Sequence, residues 1–267
     1  MRLLAIETAT DTVGVGLVGA DGGSAERVHV GGRVHAELLV PAIEEVCAVS
    51  GCVVSDIDVI GVDVGPGLFT GLRVGVSTAK ALAQALGVGV VPVSSLDVLA
   101  AAAAAAAAAR SGPATAERVV AVVDARRGEV FASAYRFDRS AAGEEPVDPG
   151  SVRDDRLQPI SPEVLVDWLV DLANEAGQVR VVGDGAARYR PLLAAHPGLD
   201  LAWVEEFSAP PALALARLAR QRLARGVAAL SAVEVVPDYR RPADARINWE
   251  QRAPRVPSSG SAQGRVS

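Results

Sequence analysis

The chain has few aromatic residues and few cysteines. Aromatics make up 4% of its 267 residues although half of the residues are hydrophobic, so we expect a core of alanine, valine and leucine. Cys47 and Cys52 are its two cysteines, which argues against a disulfide framework and favours a cytoplasmic protein. They lack companion ligands, so the spacing predicts two buried thiols rather than a metal site.

The sequence also lacks a surplus of basic charge and a long hydrophobic run. Its formal net charge of −6 argues against charge-driven binding to nucleic acid over a wide surface, although a partner could carry the basic surface. The alanine tract at 100–109 is too short and too weakly hydrophobic to cross a membrane. An acidic residue, Glu7, follows the first apolar residues at once, so we expect no signal peptide and no membrane contact.

The sequence is organised around residues 59–86. An apolar strand at 59–64 precedes a glycine loop at 65–71 and a helix at 72–86, for which Thr70 is the predicted N-cap. The strand is apolar nearly throughout, as expected when both faces are covered. The helix is apolar nearly all round, which predicts that its own core covers one face and a partner covers another.

An α/β lobe with a mixed sheet is predicted over residues 1–110. Strands at 3–6, 13–18 and 25–30 precede a helix at 34–49, in which Pro41 should kink the axis or restrict the first turn. After the central helix, the sequence predicts a strand at 88–93 and a helix that runs into the alanine tract.

A second α/β lobe is predicted over 118–241. Two strands flank a hairpin tip at 124–128, whose charge could bind an anion or simply be solvated. Ser161 and Pro162 are typical of a helix start. The remaining predictions are a loop at 137–160, a strand at 179–182 with a short helix after it, a helix at 210–226 that packs back on the first lobe, an extended segment at 233–241 and a disordered tail at 251–267.

The residues from Gly65 to Gly75, GPGLFTGLRVG, resemble the signature of the TsaB (YeaZ) family, bacterial proteins needed to make threonylcarbamoyladenosine (t6A) on tRNA. Segments at 4–10, 35–41, 122–130 and 237–240 resemble other parts of that family in the same order. The resemblance implies a two-lobed actin-like ATPase fold (sugar kinase, heat-shock protein and actin, ASKHA), with mixed sheets flanked by helices.

The family is similar to the catalytic TsaD proteins, once classed as glycoproteases. Those relatives carry two metal-binding histidines four residues apart on one helical face. Ser95 and Leu99 stand at the matching positions here. The resemblance therefore implies a chain with no catalytic, cofactor-binding or metal-binding residues.

Two loops have both a ligand-binding and a structural interpretation. The glycine loop before a helix could cradle phosphate, but it is neither a P-loop nor a dinucleotide fingerprint, and a turn that sets the helix against the sheet is favoured. Glu7, Thr8, Thr10 and Asp11 sit where actin-like kinases place their first phosphate loop. An ordinary turn is favoured there too, with weak ATP or ADP binding left open.

We hypothesise a non-catalytic scaffold or activating subunit for t6A formation. The resemblance implies a TsaD-like catalytic subunit as partner, a TsaE-like ATPase acting through that complex, indirect contact with tRNA and a homodimer when the chain is alone. The sequence predicts that replacing Val76 with glutamate separates both assemblies without disturbing the fold. The predicted partner interface consists of His35, Leu38, Leu39, Ala42, Val46, Arg73, Val76, Ser77, Lys80 and Ala83.

Two other functions stay open at this point. One is an ATP-dependent small-molecule kinase of the same fold, for which tight binding of Mg-ATP and phosphoryl transfer would be evidence. The other is a glycopeptidase, against which the missing histidine pair argues.

Overall fold

A computed structural model describes residues 1–31, 35–111, 117–137, 153–156 and 158–240. Two mixed five-stranded sheets, each covered by helices, form two lobes. The predicted two-lobed actin-like fold is thereby confirmed. Within these ranges, no helix is both long and apolar enough to span a lipid bilayer.

The first sheet has the strand order β3-β2-β1-β4-β5. The strand β1 pairs antiparallel with β2 and parallel with β4, so it lies at the centre of the sheet. All residues of β1 are buried, because helices cover both faces of the sheet. The strands are β1 (Leu3–Glu7), β2 (Thr12–Val18), β3 (Ser24–Val30), β4 (Val59–Gly65) and β5 (Gly89–Ser94).

Helices α1 (His35–Val49) and α2 (Phe69–Leu86) cover one face of this sheet. The helix α2 begins three residues before the predicted start, and its N-cap is Leu68, so the assignment of Thr70 as the cap was wrong. The first turn of α2 contacts the loop that follows β1, as described below, and this contact decides where α2 starts. The helix α1 continues through Pro41, which is exposed.

Helix α7 (Ala212–Ala224) packs on the other face, mainly against β1 and β2. Helix α3 (Ser95–Ser111) lies between the lobes. Its Val98 belongs to the core beside α7, whereas Leu99 and Ala103 belong to the core of the second lobe. The small side chains of the alanine tract therefore let one helix pack closely against both lobes.

The second sheet has the order β10-β9-β6-β7-β8, and β10 was not predicted from the sequence. The hairpin β6–β7 turns through Arg127 and Gly128, whose φ angles are 56° and 80°. Helix α4 (Pro162–Ala176) has the predicted N-cap, because the Ser161 hydroxyl accepts a hydrogen bond from the backbone N–H of Val164. The remaining elements are β6 (Glu117–Arg126), β7 (Glu129–Phe137), β8 (Arg153–Asp155), β9 (Val179–Val182), α5 (Asp184–Arg188), α6 (Arg190–Ala194) and β10 (Leu201–Val204).

The segment after α7 returns to the first lobe. Residues 232–234 form a turn and residues 235–240 belong to no helix or strand, in the region where an extended segment is predicted. Side-chain contacts hold the segment instead: Lys80 Nζ donates to the carbonyl oxygen of Val235 at 2.8 Å, and the rings of Tyr239 and Phe69 lie 4.8 Å apart. The predicted tail at 251–267 and most of the predicted loop at 137–160 lie outside the described residues.

Candidate functional site

The glycine loop is packed directly against the loop that follows β1. A Cβ atom placed on Gly71 would lie 2.0 Å from the carbonyl oxygen of Thr8, and one on Gly67 would lie 2.2 Å from that of Ala9. The Thr8 hydroxyl donates to the carbonyl oxygen of Gly71 at 2.8 Å. The backbone N–H of Leu68 donates to the carbonyl oxygen of Ala9 at 2.6 Å. The glycine spacing is therefore required by close contact between two backbones.

This contact occupies the region in which actin-like kinases place their first phosphate loop. The Thr8 hydroxyl is bonded to Gly71, as described above. The carbonyl oxygen of Thr10 is bonded to Nε2 of His35 at 2.8 Å. The carboxyl oxygen Oε1 of Glu7 accepts from the backbone N–H of Ala9 at 2.7 Å. These polar groups are engaged within the protein, and the nearby α2 backbone fills the space beside them.

Two buried carboxyl groups lie at the adjacent ends of β1 and β4. Glu7 and Asp63 each follow the paired residues Ile6 and Val62 by one position, so they point to the same face of the sheet. Oδ1 of Asp63 accepts from the backbone N–H of Gly65 at 2.7 Å. Oε2 of Glu7 and Oδ2 of Asp63 are buried and have no hydrogen-bond partner within the part of the chain that the structure describes.

Burial raises the pKa of both acids. Desolvation, and next the charge of Asp63, raise the pKa of Glu7 well above its ordinary value. Desolvation also raises the pKa of Asp63 to about 7, although hydrogen bonds from Ser95 and Gly65 act in the opposite direction. When the pair holds a proton, Oε2 of Glu7 or Oδ2 of Asp63 can carry it and donate a hydrogen bond. This explains how two acids can lie side by side in a core.

A second set of acids lies in the other lobe, where β6 ends. Oδ1 of Asp184 accepts from the backbone N–H of Asp124 at 2.9 Å, and burial raises the pKa of Asp184 to about 6. Asp124 is paired with Arg126 and Arg188 at 3.3 and 3.2 Å. Arg126 also reaches Asp11 of the first lobe at 2.8 Å. The hairpin tip at 124–128 thus makes an ion pair between the lobes, which the sequence did not predict.

A third network joins both lobes through α3. Oδ2 of Asp97 accepts from Arg222 at 2.7 Å, and its Oδ1 accepts from the Tyr135 hydroxyl at 2.9 Å. These residues come from α3, α7 and β7, so one carboxylate ties three elements together. An aspartate within an apolar run, such as Asp63 in β4, is the sequence signal that could have indicated a buried acid. No comparable signal indicated that Asp97 pairs with Arg222.

The two positions that match the histidines of the TsaD relatives have structural contacts here. The Ser95 hydroxyl donates to Oδ1 of Asp63 at 2.6 Å. Leu99 is fully buried in the core of the second lobe. Among the residues that the structure describes, no group of three or more histidine, cysteine or acidic side chains could hold a metal ion.

The predicted partner interface divides into two sets. Its apolar members pack against the first sheet, so they are not available on the surface; Val76, for example, is 3% exposed. Arg73 and Ser77 are exposed, and Leu38 and Lys80 are half-buried. The prediction that these residues lie on an accessible interface is therefore wrong for the buried set. That set comprises His35, Leu39, Ala42, Val46, Val76 and Ala83.

A stripe of small side chains lies on the exposed side of α2. We call it the outer helix face and define it by Ser77, Ala81 and Ala85. Val40 and Val49 of α1 are also exposed, by 52% and 60%, but they lie on opposite sides of that helix. The α2 residues are four apart, so they form one stripe along the helix.

Two mixed sheets joined by a shared helix, with the first loop of one lobe facing the hairpin of the other, define a protein of the actin-like ATPase fold class. A family model described as TsaD, tRNA N6-adenosine threonylcarbamoyltransferase, matches residues 29–249. Together with the relatives described next, this match shows that the chain belongs to the TsaB (YeaZ) family of TsaD-related proteins.

Three relatives illustrate the match. The TsaB protein of Escherichia coli, named for tRNA threonylcarbamoyladenosine biosynthesis, is 34% identical over 188 residues, which are 67% of this chain and 78% of that protein. A Mycobacterium leprae protein is 39% identical over 56% of this chain but only 41% of its own length. The crystal structure of YeaZ from Pseudomonas aeruginosa is 27% identical, with a TM-score of 0.66 over 88% of this chain and 98% of that one.

Proposed function

We propose that this chain is a non-catalytic scaffold or activating subunit for t6A formation and acts in a complex with a TsaD-like catalytic subunit. Family membership supports the pathway. The observation that carries the non-catalytic role is at Ser95 and Leu99, where the TsaD relatives have metal-binding histidines. One of these side chains bonds a buried acid and the other fills the core, so neither is free to bind a substrate or an ion.

The contact between α2 and the loop after β1 supports a role without bound nucleotide. Phosphate binding in this fold needs open backbone N–H groups and room beside them. Here the carbonyl of Gly71 and the N–H of Leu68 are bonded to that loop instead. We therefore expect little or no heat when the purified chain is titrated with Mg-ATP, whereas tight binding would favour a kinase of the same fold.

The outer helix face is the proposed surface for the catalytic subunit. The exposed alanines of α2 offer apolar area that a partner can cover. In the absence of the partner, the same face would bind a second copy in a two-fold dimer. A TsaE-like ATPase and tRNA would reach the complex through the catalytic subunit, in keeping with the acidic charge of this chain.

Size-exclusion chromatography with light scattering tests the complex. We expect a one-to-one complex with the TsaD-like protein of the same organism, formed at the expense of a homodimer. Ala81→Glu, which places a charge on the outer helix face, should weaken both assemblies. Ala105→Glu makes the same change at an exposed position of α3 and should leave both intact. Equal binding by the two variants would refute the interface, and no complex with or without ATP would refute the scaffold role.

Val76→Glu is not suited to this test. Its side chain lies in the core of the first lobe, so the substitution would bury an unpaired charge. We expect loss of the folded protein, visible as loss of the cooperative thermal transition in circular dichroism. The sequence-based prediction that this variant keeps its fold fails because the apolar stripe of α2 faces inward.

Reconstitution separates a scaffold from an enzyme. We expect t6A, measured by mass spectrometry of digested tRNA, when the TsaD-like subunit, threonylcarbamoyl-AMP and this chain are combined. The amount should fall when Ala81→Glu replaces the native chain and stay unchanged with Ala105→Glu. Formation of t6A by this chain without the TsaD-like subunit would show that it is itself catalytic.

A further inference from the structure

Helix α1 ends in a turn that brings its two cysteines together. The backbone N–H of Cys52 donates to the carbonyl oxygen of Cys47 at 3.0 Å, and that of Gly51 donates to the carbonyl oxygen of Ala48 at 3.1 Å. Gly51 has a φ angle of 65°. This is the Schellman arrangement, in which the residue after the glycine lies over the last turn and its side chain contacts the residue five positions earlier.

The two thiols differ in exposure. Cys47 is 2% exposed, whereas Cys52 is half-buried and packs against the hydrophobic cluster that contains Cys47. Both are free thiols in this structure. Burial raises the pKa of Cys47 to about 11, and the Cys52 thiol adds to the shift through its charge and a hydrogen bond.

The backbone geometry also suits a covalent bond. Disulfides join residues whose Cα atoms are about 4.4–6.8 Å apart. The hydrogen bond between Cys52 and Cys47 holds these residues about one helical turn apart, and a turn rises about 5.4 Å. This separation lies within the range of Cα distances that disulfides span.

We propose that Cys47 and Cys52 form a reversible disulfide by exchange with a small-molecule disulfide such as oxidised glutathione. The Cys52 thiolate attacks one glutathione sulfur, which forms a mixed disulfide and releases one glutathione thiolate. Cys47 then loses its proton and attacks Sγ of Cys52, which expels the second glutathione. In total, two protein thiols are oxidised and one glutathione disulfide is reduced to two thiols.

The order of these steps follows from burial. The half-buried thiol of Cys52 meets the reagent first, and the buried thiol of Cys47 needs only to reach its neighbour. This redox site is independent of the proposed function, because it requires no partner or tRNA. It lies on the turn that follows the last residue of α1, Val49.

Intact-mass spectrometry of the whole folded chain under a titration with oxidised glutathione tests the proposal. The wild type should lose the mass of two hydrogens and regain it with dithiothreitol. Cys47→Ala lacks the resolving thiol and should accumulate one glutathione adduct at Cys52. Cys52→Ser should stay unmodified under the same conditions, since its remaining thiol is buried.

A stable glutathione adduct on the wild type, in the amount seen for Cys47→Ala, would overturn the proposal. So would an unmodified wild type at glutathione concentrations that fully oxidise the chain after unfolding in urea. Circular dichroism of each variant shows whether it is folded before the reaction. The wild-type result decides the question even where Cys47→Ala is destabilised.

Discussion

Asp63 is bonded to Ser95 in the first turn of α3, and Asp97 belongs to that turn. Both acids are buried, with 0% and 4% exposure, yet their surroundings are opposite. Asp97 accepts hydrogen bonds from the Arg222 guanidinium and the Tyr135 hydroxyl. Asp63 faces another acid, Glu7, and one of its oxygens has no partner. One site pairs its acid with a cation from α7, whereas the other places two acids side by side.

The difference teaches how burial and charge interact in this fold. A buried carboxylate beside a cation can stay ionised, because the attraction offsets part of its desolvation. A buried acid without a cation has a raised pKa: desolvation raises that of Asp63 to about 7, and the charge of Asp97 acts in the same direction. Asp97 therefore acts as a fixed electrostatic contact between the lobes, and Asp63 makes the stability of the first lobe depend on pH.

The largest loss of unfolding free energy is expected from removing the cation that pairs with Asp97, the guanidinium of Arg222. Arg222→Met leaves Asp97 buried without its charged partner, which costs about 3–5 kcal/mol of unfolding free energy. Urea unfolding monitored by circular dichroism would measure this loss. The side chains of Arg222 and Asp97 are only 14% and 5% exposed, so water can replace little of the lost interaction.

A double variant provides the control for that experiment. Arg222→Met combined with Asp97→Asn removes the charge together with its partner. The double variant should therefore be clearly more stable than the sum of the two single losses predicts. Strict additivity would mean that the pair does not act as a unit, and the contrast with Asp63 would lose its basis.

The next effect concerns pH and the acid pair. Asp63 has its pKa raised from an ordinary 3.8 to about 7 on folding, so below the ordinary value both states are protonated and the group is neutral to stability. Between those values only the folded state holds the proton, and the contribution of this group falls by about 1.4 kcal/mol per pH unit. Asp184, raised to about 6, acts in the same direction over a shorter range.

Asp63→Asn sharpens this test, because an amide resembles the protonated acid in shape and cannot ionise. We expect the variant to gain on the order of 2 kcal/mol relative to the wild type between pH 5 and pH 8. Urea unfolding at both pH values gives the comparison. Parallel stability profiles for the two proteins would mean that Asp63 already ionises at low pH in the fold. Asp21→Asn, at an exposed turn, should leave the profile unchanged.

A smaller effect is expected from the neutral partner of Asp97. Tyr135→Phe removes one hydroxyl and keeps the ring in the core, so we expect a loss of about 1 kcal/mol by thermal or urea unfolding. Arg222 still neutralises the carboxylate in this variant. If Tyr135→Phe lowered the unfolding free energy as much as Arg222→Met, the Tyr135 hydroxyl rather than the Arg222 cation would be the main group that stabilises the buried Asp97.

The smallest effect is expected at the exposed ion pair between the lobes. Arg126 and Asp11 have side chains that are 45% and 65% exposed, and such pairs contribute about 0–1 kcal/mol. Asp11→Asn removes this pair and keeps the contact of Arg126 with Asp124, so it should change the unfolding free energy within that range, and less at high salt, as measured in parallel urea titrations. A loss of several kcal/mol would mean that this pair is a principal contact between the lobes.

The local pattern of the sequence predicted most of the secondary structure but not the direction in which side chains face. The sequence from Gly65 to Gly75 identified the family and a turn before a helix. The contact with Thr8 and Ala9, which requires those glycines, is formed by residues distant in the chain and had no local signal. For the same reason Val76 was predicted to face a partner, although the first sheet covers it.

The sequence alone determined the two α/β lobes, the positions of most helices and strands and the absence of a histidine pair at Ser95 and Leu99, because these follow from local periodicity and residue identity. Only the tertiary structure decided which side of α1 and α2 is exposed, which buried acid meets a cation and which meets another acid. Those outcomes depend on the distances between segments far apart in the chain, and desolvation and charge act through these distances.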